Sequence, residues 1–378
     1  MSSLFEDCEN IITINFNSEN FDTKKVEVMT NMFKNCKKLK YLDISKLITS
    51  SVTNMGGMFW GCESLEISGL NNLDTNKVID MSNMFNGLKS MKNLDLGNFK
   101  TKNVNNMESM FEGCENLEII DLTKFDFSEI ENMKAMFKGD INTKNILFGN
   151  IIDSKYLRNM EEMFSSCHSI TSLDLNNFNT KNVLTMDYLF NDCFKLTEIK
   201  ISSINTEKVQ SMSYMFNNCS SLINLNIKNF NLDSALSISK MFNNCNQLKN
   251  LEIFNLTSAF SLSQMNNLFN GCASLSTLDL TLLDTTNVYD FSGIFNGCSS
   301  LTDLKIKFNT NNADTMEKMF ANCISLKSLD ITTFDTQNCN NFEGIFLNDE
   351  NLELYYKSNL CPNLIIPDYV HPHDMKDN

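Results

Sequence analysis

LTEIKISSINTEKVQSMSYMFNNC, residues 196–219, carries two rhythms of apolar residues within one stretch. Ile199 and Ile201 alternate with polar neighbours, as Leu173/Leu175, Leu225/Ile227 and Leu278/Leu280 do elsewhere. That period of two is the mark of a half-buried strand. Further on, apolar residues fall at i, i+3, i+6 and i+7, as in Val104, Met107, Met110 and Phe111, one face of an α-helix. The phenylalanine that closes the second rhythm recurs as Phe5, Phe33, Phe59, Phe85, Phe111, Phe137, Phe164, Phe190, Phe216, Phe242, Phe269, Phe295, Phe320 and Phe346, at spacings of 25 to 28 residues. Fourteen copies at one period define an internal repeat.

Local signals bracket the expected helix. Asp or Asn stands eleven residues before the anchor (Asp22, Asp74, Asn179, Asn205, Asp284, Asn309, Asp335), where an N-cap belongs. Phe178 and Val183 flank that position with the spacing of a hydrophobic staple. Gly or Asn follows the anchor by two (Asn35, Gly61, Gly113, Asn218, Asn244, Gly271, Gly297), as a left-handed helix stop would. A strand and a helix in 26 residues cannot bury their apolar faces alone, so the units must stack. The expectation is an α/β, leucine-rich-repeat-type solenoid of about 14 strand–helix units, with a parallel sheet on its concave side. Residues 1–352 form the solenoid, whose first unit is incomplete, and 353–378 a C-terminal cap and polar tail.

The pattern F-[DN]-T-x-[NK]-V-x-x-M-x-x-M-F-x-x-C-x-x-L-x-x-L-D-L, with FNTKNVLTMDYLFNDCFKLTEI (178–199) and LDTNKVIDMSNMFNGLKSMKNLDL (73–96) as close instances, resembles the repeat of BspA-like leucine-rich-repeat surface proteins, in their mycoplasma surface-protein branch. The resemblance spans residues 1–352. It implies a curved α/β solenoid, usually on a cell surface, used for adhesion or host contact, and it carries no family active site.

Composition narrows the partners. Net charge is −15, which argues against nucleic acid, since phosphate contacts need clustered Lys and Arg. It favours cationic partners if charge selects them. No apolar run approaches 18 residues, so no membrane span is expected. The start, MSSLFEDCENI, has neither a basic nor an apolar leader region. The expected place is therefore the cytoplasm if this start is genuine, and the cell surface or outside if a leader lies upstream. Met1 stands four residues before Phe5, as Met29 stands before Phe33, so the chain opens in mid-unit. An open end exposing Met1, Leu4, Phe5 and the strand Ile11 to Phe16 is expected to self-associate, the basis of an alternative, structural role.

Candidate chemistry is sparse. Eleven of 13 cysteines follow an anchor by three: Cys8, Cys36, Cys62, Cys114, Cys167, Cys193, Cys219, Cys245, Cys272, Cys298 and Cys323. Leu88, Asp140 and Asp349 take that place elsewhere. A slot that accepts Leu is a packing slot, so these read as shielded free thiols, over disulfides or metal ligands. His168, His371 and His373 belong to no nucleophile motif, and no Gly-rich phosphate loop appears, so neither enzyme activity, cofactor nor metal is expected. The strand's middle residue, ten after each anchor, points outward and is the candidate ligand contact. It reads Asp43, Asp95, Asp121, Asp174, Lys200, Asn226, Glu252, Asp279, Lys305 and Asp330, with Gly69 and Leu147 interrupting. An acidic row on adjacent strands is self-repelling. It is either a site for a basic partner or a solvated template. The function expected is non-catalytic binding or adhesion, with a protein or glycan on the repeat surface.

Overall fold

Strands form where apolar and polar residues alternate. The computed structural model describes residues 1–16, 21–149, 153–253, 261–350 and 352–375. Two compact units divide the chain, Met1–Val183 and Leu184–Asn378. The first contains β1 (Thr13–Ile14), β2 (Tyr41–Asp43), β3 (Glu66–Ser68), β4 (Ile119–Leu122), β5 (Asn145–Phe148) and β6 (Ser172–Asp174). The second contains β7 (Glu198–Lys200), β8 (Asn224–Asn226), β9 (Asn250–Glu252), β10 (Thr277–Leu280), β11 (Asp303–Ile306), β12 (Ser328–Asp330), β13 (Glu353–Tyr356) and β14 (His371–Asp374). Within the first unit β1-β2-β3 and β4-β5 pair, and within the second β8-β9, β10-β11 and β12-β13-β14, all in parallel. Leu42 lies opposite Ile67 and Leu278 opposite Leu304, so each repeat sets its inward residue beside that of the next. A parallel-strand solenoid stack results in each unit.

The expected helix does not form. Among the described residues there is no α-helix, only one short 3₁₀ segment at Leu70–Asn72. The anchor segments run instead as successive β-turns. Met81, Asn83, Phe85 and Gly87 donate their N–H groups to the carbonyls of Asn106, Glu108, Met110 and Glu112 in the next repeat, at 3.0, 2.8, 2.9 and 2.7 Å. Between them, Met84 and Leu88 close turns onto Met81 and Phe85. A helix would send such donors four residues back within its own segment.

Two left-handed residues per repeat impose this path. Gly87 (φ 74°) is the left-handed position expected two after the anchor, but Asn83 (φ 55°), two before it, lies mid-way through the expected helix. The pairs Asn31/Asn35, Tyr214/Asn218 and Gly293/Gly297 repeat the arrangement. Ala135, Glu162 and Lys318 adopt it too, although a side chain there costs of order 1 kcal/mol or more. Each such residue also belongs to a turn tied to its neighbour, which offsets that cost. The expected N-caps make a cap-like bond without a helix: Oδ1 of Asp74 and of Asn205 accept the N–H of Asn76 and Glu207, both at 3.0 Å, closing Asx turns.

The anchors build the core. Their rings stack almost parallel at 5.5–5.9 Å from Phe5 to Phe164, and at 5.3–6.1 Å from Phe190 to Phe346. All 13 cysteines are free. Ten of the ladder thiols are buried, but Cys8, expected to be shielded, is exposed. The slot suits cysteine because its thiol is a small hydrophobe that still donates. Cys219 Sγ reaches the carbonyl of Phe190 at 3.2 Å, and Cys62 that of Phe33 at 3.0 Å. Asp140 and Asp349 occupy the same slot, fully buried. Burial pushes the Asp140 carboxyl well up and that of Asp349 to about 7.

Buried threonines tie successive repeats together. Thr75 Oγ1 donates to the carbonyl of Lys100 at 3.1 Å and accepts the N–H of the same residue at 2.7 Å. Thr23, Thr49 and Thr101 do the same in the first unit, and Thr206, Thr285 and Thr310 in the second. Each hydroxyl thereby satisfies both backbone groups of one residue, in a position shielded from water.

Candidate functional site

A strand hides alternate side chains and displays the others, so the candidate row is the displayed one. Asp43, Asp121 and Asp174 stand on β2, β4 and β6, while Asp95 lies outside any strand; all four are exposed. In the second unit Lys200, Asn226, Glu252, Asp279, Lys305 and Asp330 stand exposed on β7 to β12. Register brings Asn226 beside Glu252, Asp279 beside Lys305, and Asp330 beside Tyr355. One interruption is misplaced: Ser68, not Gly69, faces Asp43, and Leu147 faces Asp121. Gly69 has φ 84° and lies so near Ser45 that a Cβ would fall 2.6 Å from its amide nitrogen.

Like charges in this row are managed locally. Asp43, Asp95, Asp121, Asp174, Asp279 and Asp330 each accept, on Oδ1, the N–H two residues on, at 2.8–3.1 Å. Backbone donation from Ser45 and from Thr281 holds the carboxyls of Asp43 and Asp279 below the usual range, and the Thr123 hydroxyl does so for Asp121. The L-D-L aspartate thus builds the turn that ends each strand, and its charge faces outward as a consequence. In the second unit Asn226 Nδ2 donates to Glu252 Oε2 at 2.6 Å, and Asn250 Nδ2 to Asn224 Oδ1 at 2.6 Å. These side chains line an open polar cleft of about 920 Å³ over β7 to β10.

Reading one row missed its companion. Period two puts the residue two positions earlier on the same exposed face. In the first unit that row brings Thr13, Tyr41 and Glu66 together in register, next to Asn15, Asp43 and Ser68. These six line a cleft of about 610 Å³ over β1 to β3. Tyr41 is 61% exposed, and among the described residues neither it nor Glu66 has a side-chain hydrogen bond. The signal was available in the alternation itself, which puts Tyr41 and Glu66 on the outward face two residues before Asp43 and Ser68.

Elsewhere, an apolar cavity of about 490 Å³ lies between residues 339–347 and the segment carrying Ile365, Pro367 and Tyr369. No group of three or more His, Cys, Asp or Glu side chains among the described residues is placed to hold a metal ion. No helix among them is long and apolar enough to cross a membrane.

The family described as "Mycoplasma protein of unknown function, DUF285" matches residues 1–116, 58–146, 158–275 and 263–359. No curated protein matches the sequence. Among solved structures, a leucine-rich repeat protein from Bacteroides ovatus superposes with a TM-score of 0.61 at 19% identity, over 97% of this chain and 92% of that one. The pneumococcal vaccine antigen PcpA gives 0.45 at 16% identity, over 90% and 80%. A leucine-rich cell surface protein from Faecalibacterium prausnitzii gives 0.35 at 17% identity, over 83% and 75%. The first of these establishes a leucine-rich-repeat-type fold.

Proposed function

Since the chain belongs to the family described as "Mycoplasma protein of unknown function, DUF285", we propose that it is a non-catalytic binding module that contacts a protein or glycan through the exposed face of its strands. The observation that supports this is the division of labour within the repeat. Most inward positions among the described residues are spent on Phe, Met, Leu, Ile, Val and Cys packing, and alternate N–H donors of the turn segments go to the neighbouring repeat. The displayed strand rows vary in chemistry, from Asp43 and Glu66 to Lys200 and Lys305, on a backbone paired in parallel register to its neighbours. Variable side chains on a fixed scaffold are the economy of a recognition surface. In the same proposal residues 1–352 make the repeat body and 353–378 close it, with β14 laid on β13.

Placement of the site on a cell surface, and its use in adhesion, follow from the family resemblance and are part of the proposal. The test is to immobilise the full chain and measure retention of cultured host cells and of extracellular-matrix proteins. Charge reversal on the strand face (Asp121→Lys with Asp279→Lys) should reduce retention at least tenfold. Reversal on the turn side (Lys89→Glu with Lys138→Glu) should leave it unchanged. The opposite pattern overturns the assignment of the face. Sedimentation as an oligomer, with no retention by any surface, would support assembly as the role instead.

A further inference from the structure

We propose that the β1–β3 patch is a sugar-binding subsite, which seats one pyranose ring of a neutral or amino-bearing glycan on Tyr41. This deepens the binding reading above and rests on it. The patch combines the two halves of carbohydrate chemistry. A pyranose offers an apolar face of C–H groups and an edge of hydroxyls. Tyr41 offers an aromatic ring on a residue that is 61% exposed. Its register neighbours are Thr13 on one side and Glu66 on the other, with Asn15, Asp43 and Ser68 completing the rim. Neighbouring strands lie roughly 4.8 Å apart, so these groups surround the ring at hydrogen-bonding reach of a ligand stacked upon it.

Orientation is built in. Asp43 is held by the amide of Ser45 at 2.9 Å, so its carboxylate presents a fixed acceptor edge. Glu66 has no internal partner among the described residues and is available to take hydroxyl protons. With two carboxylates and no cation in the lining, the patch accepts donors and repels acidic sugars. A protein side chain inserted here would meet polar groups on every side, whereas aromatic hot spots in protein interfaces sit in desolvated apolar surrounds. A polyol keeps every one of those groups hydrogen-bonded. The larger cleft of the second unit does not offer the same chemistry: it has no ring, and Asn224, Asn226, Asn250 and Glu252 already satisfy one another.

The experiment is saturation-transfer NMR on the full chain with the methyl pyranosides of glucose, galactose, mannose, N-acetylglucosamine, glucosamine and glucuronic acid. At least one neutral or amino sugar should receive saturation on its ring C–H protons, and the glucuronide none. Tyr41→Ala should weaken binding about tenfold, the upper range for an aromatic contact. Tyr41→Phe should stay within twofold, because the ring and not the hydroxyl does the stacking. Glu66→Gln should weaken it several-fold. The chain's far-UV spectrum and its count of shielded thiols verify that each variant is folded. No transfer to any sugar, equal binding by Tyr41→Ala, or preference for the glucuronide each overturn the proposal. If sugars fail while strand-face charge reversal still abolishes retention of cells or matrix proteins, only the sugar assignment falls. If that reversal is also silent, the strand-face reading itself falls.

Discussion

Replacing Gly344 by alanine separates the turn path from a helix by the sign of one stability change. Gly344 stands two residues before the anchor Phe346 and has φ 63°. Were this segment helical, the position would be interior, and alanine would be better than glycine by about 1 kcal/mol. In the observed conformation alanine must occupy the left-handed region, which costs about 1–2 kcal/mol. Loss of unfolded-state freedom returns roughly 0.4–1 kcal/mol of that. Steric contact adds little, because the new Cβ would meet Lys318 Cγ at 3.4 Å and Leu347 Cβ at 3.7 Å, ordinary van der Waals distances. The expected net loss is about 1 kcal/mol, some 2 kcal/mol away from the helical expectation and opposite in sign. Urea denaturation of the full chain, followed by far-UV circular dichroism, reads it directly. A raised midpoint for Gly344→Ala would refute the turn assignment at this position.

Thr75→Val keeps the shape of the side chain and removes both bonds to Lys100, whose N–H and C=O lose the partner that the buried hydroxyl supplied. The cost should be about 3 kcal/mol, with faster hydrogen exchange at Lys100, while Thr53→Val on the more open side should cost under about 0.5 kcal/mol. Thiol titration without reductant should find Cys8 reactive in the native chain and all 13 cysteines in denaturant; a shortfall after denaturation would mean disulfides. Burial raises the Asp349 carboxyl from an unfolded value near 3.8 to about 7, so the folded state holds the proton more tightly. That contribution is complete below about pH 4 and is lost as pH rises through 7, up to about 4 kcal/mol. Asp349→Asn should therefore flatten stability between pH 4 and 8 and stabilise the chain at pH 8. An unchanged slope would mean that the carboxyl finds water or a partner.

How much of this was legible beforehand follows from where each interaction runs. The repeat, its anchors, the strand alternation and the outward row could be read from sequence, because burial selects residue type position by position, and Phe216 or Leu225 announces its own environment. The aspartate row was correctly placed on the exposed face. Its attachment to the amide two residues on is also a local affair, one that a template such as L-D-L already contains. The turn segments were misread because the i, i+3, i+6, i+7 spacing of Val104, Met107, Met110 and Phe111 turns the same residues inward in a helix and in a run of turns. What separates the two is the destination of the backbone N–H groups, and these go to residues about 25 further along the chain. No local pattern encodes that destination. A left-handed glycine or asparagine two after the anchor looked like a helix stop, while its counterpart two before is as often Ala, Glu, Tyr or Lys, residues that give no warning. Only the stacked neighbour makes that conformation worth its strain. The same holds for the patch on β1 to β3, where Thr13, Tyr41 and Glu66 are 28 and 25 residues apart in the chain and become one surface when parallel register sets them side by side.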